Sequence, residues 1–138
     1  MKPTHNLYFR HATTLWLLVS CLLLASCVQK SVKVSEAERK AQDSIVSSVS
    51  GLDSLVMLQK RMEHEGNLLG SIVAYRELGK RVRNDSQFDD ALRFHSEGLT
   101  QAEALGDTLE VVQALNNIGT DYRRMGVLDL AQDYHYRA

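Results

Sequence analysis

The chain has 138 residues, a formal net charge of −1 and 24% charged side chains. That length holds one small domain, and the near-neutral balance supplies no overall basic field for nucleic acid or an anionic membrane surface. Its single proline is Pro3, and the rest is rich in Leu, Ala, Glu, Arg and Gln, a composition that predicts an all-α fold.

The first element is an export signal. Residues 1–11 carry Lys2 and Arg10 with no acidic side chain, and the run from Ala12 to Val28 has no charge. About seventeen residues is the lower limit for a spanning helix, so cleavage is favoured over permanent insertion. Leu24-Ala25-Ser26-Cys27 closes this run and resembles the lipobox of bacterial lipoproteins. That resemblance implies a signal peptide over residues 1–26 and a lipidated Cys27 as the first mature residue. Each buried CH₂ contributes about 0.8 kcal/mol, so several acyl chains together give stable anchoring. Cys21 would leave with the signal, and the one remaining thiol excludes an intramolecular disulfide.

Residues 27–34 read as a solvated tether. The segment Val28-Gln29-Lys30 resembles neither an inner-membrane retention signal nor a surface-export signal, so a membrane-tethered domain facing the periplasm is expected. Ser35 to Glu38 has the form of a capping box and predicts a helix start. Residues 35–67 then read as N-terminal helices, with Ser50 to Asn67 the second helix of a degenerate unit.

A shift of forty residues aligns Gly66 with Gly106, Ala74 with Ala114, Gly79 with Gly119, Arg83 with Arg123, Asp89 with Asp129, Ala91 with Ala131 and His95 with His135. Matches in one register are the mark of a structural repeat. The first unit, 68–107, predicts a helix from about Leu68 to Asn84 and a second, capped by Ser86, that runs to Leu105 and stops at Gly106. The second unit, 108–138, predicts a helix capped by Asp107 and ended by Gly126, then another from near Leu128 carrying Ala131, Tyr134 and Ala138.

The stretch ALNNIGTDYRRMGVLDLAQDYHYRA, Ala114 to Ala138, resembles a tetratricopeptide repeat. The matching positions are Ile118, Gly119, Tyr122 and Gly126 on the first helix, with Ala131 and Ala138 on the second. The earlier copy keeps Leu78, Gly79, Ala91 and Gly98 but has Val82 for the aromatic and Ser86 for the turn glycine. The resemblance implies antiparallel helix-turn-helix repeats stacked as a short solenoid. In it Leu78, Gly79, Ala91, Ile118, Gly119, Tyr122 and Ala131 are packing positions, and His95 and His135 fill sites that usually hold an aromatic.

No phosphate loop, metal-ligand spacing or nucleophile with its base is present, so neither a cofactor nor an enzymatic activity is expected. The resemblance points to the inward face of each first helix as a peptide groove, with Arg76, Lys80 and Arg83 followed one unit later by Asn116, Thr120 and Arg123. Val73, Asn84, Gln113 and Arg124 complete the two stripes. Such a stripe is locally basic and suits a protein or peptide carrying carboxylates. The expected function is a membrane-anchored scaffold that binds proteins or peptides in the bacterial cell envelope. The alternative is the sensory part of a longer signalling protein, with a histidine kinase or DNA-binding output domain beyond Ala138, because the last predicted helix leaves Tyr134 and Ala138 uncovered.

Cys27→Ser should abolish lipid attachment and signal removal together, leaving an unprocessed precursor in the membrane fraction. Mass spectrometry of the wild-type chain should find a diacylglyceryl adduct on Cys27, and an unmodified thiol there would end the lipoprotein reading.

Overall fold

A computed structural model describes residues 33–138. The expected signal peptide, 1–26, Cys27 and the first residues of the expected tether, 27–32, lie outside these residues. Among the described residues no helix is long and apolar enough to cross a membrane.

All regular structure in this region is helical, and local chemistry sets the helix starts. Helix α1, Glu36–Ser47, opens on the expected capping box. The Ser35 hydroxyl accepts from the Glu38 N–H at 3.2 Å, and the Glu38 carboxylate accepts from the Ser35 N–H at 2.8 Å. Helix α2, Leu52–His64, follows Gly51 without a side-chain cap. In α3, Leu68–Asn84, the Asn67 side chain accepts from the Gly70 N–H at 3.0 Å. Helix α4, Phe88–Leu105, stops at Gly106, and α5, Thr108–Met125, starts from Asp107, whose carboxylate accepts from the Glu110 N–H at 3.1 Å. Helix α6 is Leu128–Arg137.

The turns after α2, α3 and α5 share one geometry. The N–H groups of Asn67, Gln87 and Val127 reach back to the carbonyls of Met62, Val82 and Tyr122 at 2.8 to 2.9 Å. This is the Schellman closure, and its turn residue must adopt a left-handed conformation. Gly66 and Gly126 do so at φ +73° and +81°, and Ser86 does so at +62°. Ser86 therefore occupies the glycine position of its turn and does not cap α4, contrary to the sequence expectation. The residue that precedes α4 is Gln87, which makes no capping bond.

Short connectors make successive helices antiparallel neighbours. Each of α2 to α6 packs against the helix before or after it, and α1 lies against α3. Helices α3 with α4 and α5 with α6 are the two forty-residue units. The core holds Val46 from α1, Leu55 and Met62 from α2, and Val73, Ala74 and Leu78 from α3. Tyr75 and Phe94 pack against it. Ile118 and Ala131 carry burial into the second unit.

Small residues permit the closest crossings. A Cβ on Gly79 would come within 2.4 to 2.6 Å of the ring of His95, and one on Gly119 within 2.9 to 3.0 Å of the ring of His135. Each histidine thus lies flat on a glycine of its own hairpin. Ala91 is fully buried, Ala131 nearly so, and Tyr122 stacks on Tyr134 with centroids 5.4 Å apart.

Candidate binding groove

Helix α1 and the first helices of the two repeat units, α3 and α5, form the walls of a groove of about 790 Å³. Its lining comes from Asp43, Ser44, Val46 and Ser47 on α1, from Val73, Arg76, Glu77 and Lys80 on α3, and from Gln113, Asn116 and Asn117 on α5. Buried Val46 and Val73 give it an apolar floor between polar walls.

Of the six residues expected to form a groove stripe, three line it: Arg76, Lys80 and Asn116. The other three are elsewhere. Arg83 turns to α5, where it donates to Asp121 at 2.9 Å and to the Asn117 carbonyl at 3.4 Å. Thr120 donates back to the Asn116 carbonyl of its own helix at 2.8 Å. Arg123 is exposed and outside the lining, and Arg124 borders a separate depression with Phe88 and Met125.

Arg76 is not a free cation either. It donates to Asp43 at 2.6 Å, to Glu110 at 2.9 Å and to the Gln113 side chain. Glu110, 2% exposed, also receives Arg39, which donates in addition to Asp107 at 2.5 Å. Two arginines and three carboxylates therefore join α1, α3 and the N-terminal turn of α5. Glu77 is taken by Arg81 at 2.9 Å. Among the described residues Lys80 is left as the cation of the lining with no carboxylate partner, beside the amides of Asn116 and Asn117.

A second polar knot lies behind the groove. Asp121 is fully buried, and it accepts from His95 Nδ1 at 2.5 Å and from Arg83 at 2.9 Å. His95, 1% exposed, also has its Nε2 3.3 Å from the Arg76 carbonyl oxygen. The histidine thus packs as a buried ring against Gly79 and adds a polar bond between units. Asp121 carries the detectable signal: it follows Ile118 by three residues on the buried stripe, and a carboxylate there requires a cationic or hydrogen-bonding partner.

Among the described residues no group of three or more His, Cys, Asp or Glu is placed to hold a metal ion. No family model, curated protein or solved structure matches the chain.

The Asp107 carboxyl is subject to opposing influences. Burial raises its pKa, but the bonds from Arg39 and the Glu110 N–H, with the Arg39 charge, outweigh burial and hold it below the ordinary 3.8. A carboxyl depressed by folding contributes stability that is present above its unfolded pKa and lost as pH falls through the folded one. Arg39→Met should lower the unfolding free energy by about 2 kcal/mol at pH 7, with the gap from wild type narrowing below about pH 4. Urea titrations at pH 7, 4 and 3 check this, and a gap that stays constant over that range would contradict it.

Proposed function

We propose that this chain is a lipid-anchored helical-repeat module of the bacterial cell envelope that holds a segment of another protein in the groove between α1, α3 and α5. The observation that carries the reading is the composition of the lining. An apolar floor at Val46 and Val73 meets Lys80, the one cation of the lining without a carboxylate partner among the described residues, flanked by Gln113, Asn116 and Asn117. Side-chain amides both donate and accept, so they suit the backbone of a bound segment, and Lys80 suits a carboxylate on it. The resemblance of residues 68–138 to tetratricopeptide repeats and of Leu24 to Cys27 to a lipobox supports the same assignment. Binding, and no chemical turnover, is the role this lining serves.

The arginine pairs decide which variant is informative. Replacing Arg76 or Arg83 would strand buried carboxylates, so loss of binding in such a variant would report on the fold. Lys80→Ala with Asn116→Ala removes groove contacts and leaves both knots in place. The half-buried charge of Lys80 is worth about 1 kcal/mol and a hydrogen bond about the same. Capture of an acidic envelope partner by the double variant should therefore fall roughly tenfold or more, while circular dichroism stays helical. Binding by the wild type should weaken with salt, which screens charge over about 8 Å at physiological ionic strength. Undiminished capture by the double variant at low salt would exclude the groove as the binding site.

A further inference from the structure

The groove lining repeats itself one helical turn along each of its three walls. Helices α1, α3 and α5 run in the same direction, because their contacts advance together. Along α3 and α5, Arg76 meets Glu110 and Arg83 meets Asp121; along α1 and α3, Asp43 meets Arg76, and Ser50 just beyond α1 meets Arg81. Six lining residues form pairs four apart, Asp43 with Ser47, Arg76 with Lys80 and Gln113 with Asn117. Residues so spaced lie one above the other on a helix face. They form two layers, each with one residue from each wall.

The first layer is complete in itself. Arg76 donates to the Asp43 carboxylate at 2.6 Å on one side and to the Gln113 side-chain oxygen on the other, so an anion, a cation and an amide span the three helices. The second layer has a cation, Lys80, and an amide, Asn117, at the same positions. Neither of these side chains has a hydrogen bond or ion pair among the described residues. Where the first layer has Asp43, the second has the exposed Ser47, whose hydroxyl donates to the Ser44 carbonyl of its own helix at 3.1 Å.

We infer that Ser47, Lys80 and Asn117 form a subsite for one carboxylate side chain, an Asp or Glu of the bound segment, which completes this layer as Asp43 completes the one before it. The subsite presupposes the groove as a binding site, and adds the place of the carboxylate and Ser47 as a residue that selects for it. Lys80 supplies the charge, and the Asn117 N–H groups donate to the ligand oxygens. The Ser47 hydroxyl exchanges its bond within α1 for one to the ligand. The occupant is a side chain because the first layer is filled by one, from a backbone that continues past it along the wall.

Three capped or free peptides serve as probes on the full, isotope-labelled chain: acetyl-Ala-Glu-Ala-amide, its Gln counterpart, and acetyl-Ala-Ala-Ala with a free carboxyl end. Nuclear magnetic resonance reads the side-chain amide signals of Asn117 and Gln113. The Glu peptide should shift the Asn117 signal saturably and about fivefold more tightly than the Gln peptide, while the Gln113 signal moves little. Ser47 is exposed, so substitution there leaves the core intact. Ser47→Asp should abolish the response by supplying the carboxylate from within, whereas Ser47→Asn, of the same size without the charge, should retain it. Equal losses in the two variants would overturn the inference. Shifts across the lining with no preference for Glu over Gln would overturn the subsite and leave the groove reading standing, whereas no shift anywhere in the lining would overturn both. Tighter binding of the free chain end than of the Glu peptide would assign the layer to an α-carboxylate and overturn the side chain.

Discussion

A buried carboxylate sets the order of this structure. Asp121 lies on the apolar stripe of α5 with no solvent exposure, and an ionised group in that position is tolerated only when it is paired and hydrogen-bonded. Its partners come from both helices of the preceding hairpin, Arg83 from α3 and His95 from α4. Apolar packing alone would permit α5 to slide along that hairpin. A carboxylate that must meet two donors on two helices admits one register. The absence of a side chain at Gly79 is part of the same arrangement, because the His95 ring fills the space a Cβ would need.

The rest of the charge distribution follows from such pairing. Arg39 on α1 reaches Asp107 and Glu110 of the second unit, and Asp43 meets Arg76 of α3, which also holds Glu110, so α1 is held to the second unit by charge and to the first by the Asp43–Arg76 pair and the Val46 contacts in the core. Cations that a linear reading assigns to a ligand are thereby committed to the scaffold. What remains at the groove is weaker and more adaptable, one lysine with the Asn117 amide and the N–H groups of Gln113 and Asn116, whose amide oxygens are already engaged, and we propose that this difference separates holding the fold from holding a segment of another protein.

Local signals were legible in the sequence, and non-local ones were not. The Ser35 capping box, the Asp107 cap and the stop at Gly126 each depend on residues within one helical turn, and all three stand as expected. So do the limits of α3, because periodic Leu78 and Val82 are bounded by chain segments with turn chemistry. Ser86 misled because serine is favoured at helix starts, whereas here the Schellman closure required a left-handed residue and serine took the place of glycine. Arg76 and Arg83 fall on one stripe with Lys80, but helical phase fixes only the direction in which a side chain leaves the backbone. A long guanidinium stem then turns to the nearest carboxylate, and those carboxylates, Asp43, Glu110 and Asp121, belong to other helices at sequence separations of more than thirty residues.

The central claim is that the Asp121 knot fixes how the two units stack, and urea unfolding of Asp121→Asn tests it most directly. Asparagine keeps the shape and removes the charge that Arg83 and His95 share. The account predicts a loss of about 3 to 5 kcal/mol, the cost of breaking a buried pair by removing one partner, seen as a lower urea midpoint with the helical circular dichroism of the native baseline retained. An unchanged midpoint would contradict it, because stacking would then rest on apolar contacts and the Arg39, Arg76 and Glu110 knot without Asp121.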